Sequence, residues 1–173
     1  MSKKKQRNSG ISTKKQLLYL NANLVYGETL KLVKNNSWKR KIKSGTIIKL
    51  KKEGYNLITS VLTRMEVMQN LRKRENISVI KARKVYQQVL EQFDIAEIID
   101  VNNHIILNAS YLDSIAKTRL DFKDALHITI AKKLKVPLCT HDRKAKEKSI
   151  QHEAKKEFYK EVYKPEELIK PKK

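Results

Sequence analysis

"LLYLNANLVYGETL" (residues 17–30) begins as a short apolar run, turns polar at Asn21-Ala22-Asn23, and continues with apolar residues at helical spacing. A buried strand feeding a helix is the step from which parallel sheets are built, and ligands bind beyond the carboxyl ends of such strands. The two amides therefore sit where chemistry is expected.

The same step recurs along the chain. "YNLITS" (55–60) reads as a strand, and the helix at 61–74 repeats Leu62, Met65, Met68 and Leu71 at helical spacing. "SVIKARKVYQQVLEQF" (78–93) is an amphipathic helix with Ser78 as its N-cap. "IAEIIDV" (95–101) predicts a third strand, residues 102–117 a helix, and "DFKDALHITIAKKLK" (121–135) another. "VPLCT" (136–140) predicts a fourth strand, 143–158 a charged helix, and "EVY" (161–163) a last short strand. The basic stretch "NNSWKRKIKSGTIIKLKKEG" (35–54) shows no clear period. Strands alternating with helices predict an α/β fold with a parallel sheet covered on both faces.

The chain has 173 residues, 40% of them apolar, which suits one domain with a real core. A basic arm over 1–15, a domain over 16–168 and a basic tail over 169–173 are the expected divisions. No apolar run reaches the ~18 residues of a membrane span, and "MSKKKQRNSGISTKK" lacks a secretory apolar segment. A soluble, cytoplasmic protein without a membrane partner is expected. The single cysteine, Cys139, forms no internal disulfide and lies in an apolar run, as a small core residue does.

Charge is the strongest compositional signal: 39 Lys and Arg against 18 Asp and Glu leave +21 at pH 7. Such a field attracts polyanions, so RNA or DNA is the first partner to consider and an anionic membrane the second. A thermophile's lysine-rich surface is the alternative, although such surfaces add glutamate in proportion.

Few polar residues fall at strand ends. Asn21 and Asn23 follow the first strand, Glu66 lies in the helix after the second, His141-Asp142 follow "PLCT", and Asp124 stands among Phe122, Ala125 and Leu126. Carboxylates in apolar segments are costly unless paired or bound to a metal. In a chain this basic, a local acidic cluster would supply the oxygen ligands that Mg²⁺ or Mn²⁺ need.

Together, "LLYLNANLVYGETL", "LITSVLTRMEVMQNL", "DFKDALHITIAKKLKVPLCTHDRK" and "VYKPEEL" resemble the PIN-domain family, whose best-populated branch is the toxin ribonucleases of VapBC-type toxin–antitoxin modules. The likeness runs from about residue 17 to 168. It implies a PIN-like three-layer α/β/α fold with a short parallel sheet of about five strands covered by helices. The implied cofactor is Mg²⁺ or Mn²⁺ in an acidic pocket, and the implied activity is endonucleolytic cleavage of RNA by metal-activated water. An antitoxin protein and a second copy in a homodimer are the implied partners.

Residue by residue, the family's first acid falls on Asn21, with Asn23 at the accompanying polar position, and the others on Glu66, Asp124 and Asp142. By the resemblance, Asp124 and Asp142, with an acid at 21, hold the metal while Glu66 orients water or a second ion. Arg143 and Lys144, beside Asp142, are the candidate RNA phosphate contacts. The further acid that many members carry is replaced by Ala145, and neither Asp113 nor Glu147 occupies a matching place. Asn21 departs most: its amide lacks the charge a first ligand supplies, so activity is expected to be impaired. Two accounts stay open, an engineered disabling change and a natural member that binds RNA without cutting.

Plainer readings stand beside these. Asp121 is an N-cap, and Asp142 could be one. Asp124 could be a lysine-paired surface acid, and Glu66 could pair with Arg64 or Lys73. His127 reads as a helix-packing residue and His141 as a strand-end polar group. Trp38 suits either RNA or a docking contact.

Overall fold

Alternation along the first strand organises the molecule. In the computed structural model, which describes residues 16–34, 45–98, 101–116, 120–141 and 150–170, β1 (Leu17–Leu20) sends Leu18 and Leu20 into one core and Tyr19 into the other. Successive strand side chains point to opposite faces, so a strand buried on both sides reads as a continuous apolar run. Leu18, Tyr19 and Leu20 are fully buried, and full burial of a leucine side chain contributes about 1.5–3 kcal/mol.

The order continues with α1 (Ala22–Val33), α2 (Thr46–Lys52), β2 (Asn56–Ser60), α3 (Val61–Glu75), α4 (Val79–Gln92) and β3 (Ile95–Ile98). It ends with α5 (Asn103–Ile115), α6 (Phe122–Leu134), β4 (Leu138–Cys139), α7 (Ile150–Phe158), β5 (Val162–Tyr163) and α8 (Pro165–Leu168). All five strands are parallel, in the order β3-β2-β1-β4-β5. The sheet grows from β1 toward β2 and β3 on one side and toward β4 and β5 on the other. The order therefore reverses between β1 and β4, and a crevice opens there beyond the strand ends.

Helices cover both faces, as the sequence led one to expect. One core packs α1, α2, α3 and α4 on Leu18, Leu20, Leu57, Ile95 and Cys139. The other packs α5 and α6 on Tyr19, Ile58, Leu138 and Val162. Ser78 caps α4 by accepting a hydrogen bond from the Lys81 amide, and Asp121 caps α6 by accepting one from the Asp124 amide at 2.8 Å. Both are cap contacts that free hydroxyl or carboxylate oxygens make with orphan amides. Cys139 is fully buried, as expected of a core residue.

The structure differs from the sequence reading at two places and adds one element. The basic stretch 35–54 contains α2, whose Ile47 and Leu50 lie one turn apart and are buried while Lys49 and Lys52 are exposed. The fourth strand is only Leu138–Cys139, the rest of "VPLCT" being irregular. The closing "PEEL" forms α8, with Pro165 at its start, where a missing amide costs nothing.

Candidate functional site

The two amides at the end of β1 have separate tasks. Asn21 is the N-cap of α1: its backbone is extended, and its side-chain oxygen accepts from the Asn23 amide at 3.3 Å. Asn23 ties β1 to β4 across the crevice. Its Nδ2 donates to Thr140 Oγ1 at 3.2 Å, and its Oδ1 accepts from the His141 amide at 3.1 Å. The Asn21 amide also donates to the Cys139 carbonyl at 2.9 Å, so the ends of the two strands are fixed to one another.

Asn21, Glu66 and Asp124 line one cavity of about 290 Å³ at this point, together with His141. Three of the four positions carried over from the family thus converge. Asp142, Arg143 and Lys144 lie outside the described residues, as do Trp38 and Ala145.

Asp124 reaches the cavity from the first turn of α6, where the helix dipole favours an acid. It is buried, and its partner is the Lys155 ammonium of α7, 2.6 Å from Oδ1. Burial pushes the Asp124 carboxyl above its usual range, against the pull of Lys155. Lys155 itself is 1% exposed and also donates to Thr140 Oγ1 at 3.4 Å. The reading of Asp124 as a lysine-paired acid therefore holds for the pairing but not for the surface. Lysines are almost never fully buried unless paired, and nothing in the sequence separates Lys155 from its many surface neighbours.

Glu66, 19% exposed at its side chain, comes from α3. Its partner is His127, whose Nε2 lies 2.9 Å from Oε1, rather than Arg64 or Lys73. Arg64 pairs instead with Glu97. His127 Nδ1 lies 2.8 Å from Tyr19 Oη, and Tyr19 Oη lies 2.7 Å from Ser60 Oγ. A carboxylate only accepts, so the His127 Nε2–H donates to Glu66; with a neutral ring Nδ1 then accepts from the Tyr19 hydroxyl, which in turn accepts from Ser60. His127 therefore does more than pack a helix. Its position one turn after Asp124 was the available signal, since it shares a helix face with the acid.

Whether these donors suit a divalent cation is a matter of their chemistry. Mg²⁺ takes anionic oxygens in a strict octahedron. Asn21 offers a neutral oxygen already engaged as a cap, Glu66 accepts from His127, and Asp124 faces an ammonium. Among the described residues no three His, Cys, Asp or Glu side chains form a metal-holding group, and as arranged these three positions do not fit the ion.

Basic groups surround the cavity. Arg74 and Lys123 line its rim, and Glu66 and Lys123 are shared with a groove of about 870 Å³ between α3 and the start of α4. Arg72 and Lys73 line that groove, with Met65 as its exposed apolar wall. The cavity therefore adjoins a groove that carries Arg72, Lys73 and Lys123. Among the described residues no helix is long and apolar enough to cross a membrane.

No curated protein matches the chain in sequence. The profile of the PIN domain matches residues 23–151, about three quarters of the chain, and spans α1 to the start of α7. With that match and a five-stranded parallel sheet between helices, the chain belongs to the PIN-domain family.

Proposed function

We propose that this chain acts on RNA through the pocket of a PIN-type, metal-dependent endoribonuclease whose cutting is impaired, and that in its present form it binds RNA. The family has a nuclease-type fold; RNA as substrate and the impairment are the further steps. The observation that carries them is the meeting of a cavity bearing Asn21, Glu66 and Asp124 with a groove bearing Arg72, Lys73 and Lys123, in a chain of net charge +21.

Each group has a task in that reading. The lysines and arginines hold phosphates, releasing counterions as they do so. Met65 offers a soft apolar surface to a base. Asn23 keeps the two strand ends together, and His127 holds Glu66 toward the cavity. Mg²⁺ or Mn²⁺ is the cofactor of family pockets that hold the full set of acids, and it is not needed for RNA binding by this chain. A single strand suits the channel better than a duplex because its bases can be splayed onto protein surface.

Binding of a long single-stranded RNA, measured against salt and against duplex DNA with and without EDTA, tests this. The expected result is salt-sensitive RNA binding that EDTA leaves unchanged and duplex DNA competes for poorly. Equal affinity for duplex DNA, or no RNA binding at low salt, overturns it. By the same resemblance, an antitoxin segment in the pocket and a homodimer are the protein partners proposed for the site.

A further inference from the structure

Asn21 is not the pocket's only departure from a cation site. The same cavity receives Lys155 from α7, whose ammonium lies 2.6 Å from Asp124 Oδ1 and 3.4 Å from Thr140 Oγ1. The side chain is 1% exposed, so it does not lie along the surface with a free choice of partner. Its stem is enclosed and its charge is delivered to one carboxylate.

That placement resembles the binding of an ion. Asp124, buried in the first turn of α6, needs a positive partner, because a buried carboxylate without one is costly. Lys155 supplies it from within the chain. We propose that Lys155 is the resident cation of this pocket: its ammonium stands on Asp124 in the place a divalent ion would take, and it excludes that ion even when residue 21 carries an acid. The proposal rests on the reading of the Asn21, Glu66 and Asp124 cavity as a nuclease-type pocket.

Three consequences follow from the geometry. A divalent ion on Asp124 would bring its charge against a buried ammonium 2.6 Å from Oδ1, in surroundings that screen less than water does. Thr140 Oγ1, which receives both Lys155 and Asn23 Nδ2, links the ammonium to the bridge between β1 and β4, so moving Lys155 disturbs that bridge. Among the described residues Asp124 already has a cationic partner in Lys155, and Glu66 accepts from His127. A phosphodiester can then approach the rim at Arg74 and Lys123 without a metal ion.

Mn²⁺ binding to the full chain tests the proposal. Calorimetry and Mn²⁺ electron paramagnetic resonance compare the unaltered protein, Asn21→Asp, Lys155→Met, and Asn21→Asp with Lys155→Met. Methionine keeps most of the stem volume and removes the charge. The expected result is weak, non-stoichiometric Mn²⁺ binding by the unaltered protein and by Asn21→Asp. One equivalent should bind the doubly altered protein more tightly by roughly 10- to 100-fold or more, the scale on which neighbours of metal ligands tune affinity. Adding Asp124→Asn should abolish the gain. Stoichiometric binding by Asn21→Asp alone, or no gain in the doubly altered protein, overturns the proposal.

Should the methionine variants fail to fold, paramagnetic broadening in Asn21→Asp decides the matter. The Asp124 and Lys155 amide signals are expected to stay sharp at substoichiometric Mn²⁺, and their selective loss overturns the proposal. RNA binding by the unaltered protein is a separate readout: its absence defeats the functional reading while leaving the Mn²⁺ result to stand or fall alone.

Discussion

His127 Nε2 lies 2.9 Å from Glu66 Oε1, while its other ring nitrogen meets the Tyr19 hydroxyl at 2.8 Å. The imidazole thus joins a pocket carboxylate to the inside of the sheet. The chain runs Ser60, Tyr19, His127, Glu66, and with a neutral imidazole each hydrogen bond sets the direction of the next.

Cutting this chain in its buried part should cost more than cutting it at the pocket. Tyr19→Phe leaves Ser60 Oγ and His127 Nδ1 without their common partner, at about 1–3 kcal/mol. Glu66→Gln keeps an acceptor in place and is expected to change stability by less. Urea unfolding of the two variants checks the order.

Asn23→Ala removes both side-chain bonds across the β1–β4 crevice. The expected loss is about 1–3 kcal/mol, two hydrogen bonds of ordinary size. Amide hydrogen exchange should quicken at His141, whose backbone donor loses its acceptor, before it quickens in β2.

Asp124 and Lys155 should behave as a unit. Removing one partner by Asp124→Asn or Lys155→Met leaves the other buried and unmatched, at about 3–5 kcal/mol. The two changes together should cost less than either alone, because replacing both members of a buried pair is often close to neutral. A double-mutant cycle by chemical denaturation measures that coupling.

Glu167 gives the molecule an acid-labile point. Burial raises its carboxyl, but the Lys164 amide, the Lys156 ammonium and His152 outweigh that and hold it below the ordinary carboxylate range. Between the lowered folded value and the ordinary one the unfolded chain binds more protons, so stability rises with pH through that window. The contribution is present above the ordinary carboxylate range and lost as pH falls through the folded value. Glu167→Gln should flatten the acid limb of a stability profile.

Much of the fold was legible because burial on both faces leaves unbroken apolar runs such as "LLYL", and because helix spacing is plain in the segment from Leu62 to Leu71. Caps were legible where their chemistry is local, as at Ser78 and Asp121. The helix α2 was hidden because "TIIKLKK" is too short and too rich in lysine to show a period, although Ile47 and Leu50 suffice to bury it. At the site, the positions of Asn21, Glu66 and Asp124 came from motifs, but their partners did not. Lys155 is one lysine among many, and only the packing of α7 on α6 shows that it points inward. His127 was visible, but its link to Tyr19 crosses more than a hundred residues of sequence.

In the proposed reading, Asn21 and Lys155 are the two residues that keep a nuclease-type pocket from cutting. The most direct test incubates a long single-stranded RNA with the unaltered protein, with Asn21→Asp, and with Asn21→Asp plus Lys155→Met, each in Mn²⁺ or EDTA. EDTA-sensitive fragments are expected from the doubly altered protein alone. EDTA-sensitive cutting by the unaltered protein or by Asn21→Asp alone overturns that reading.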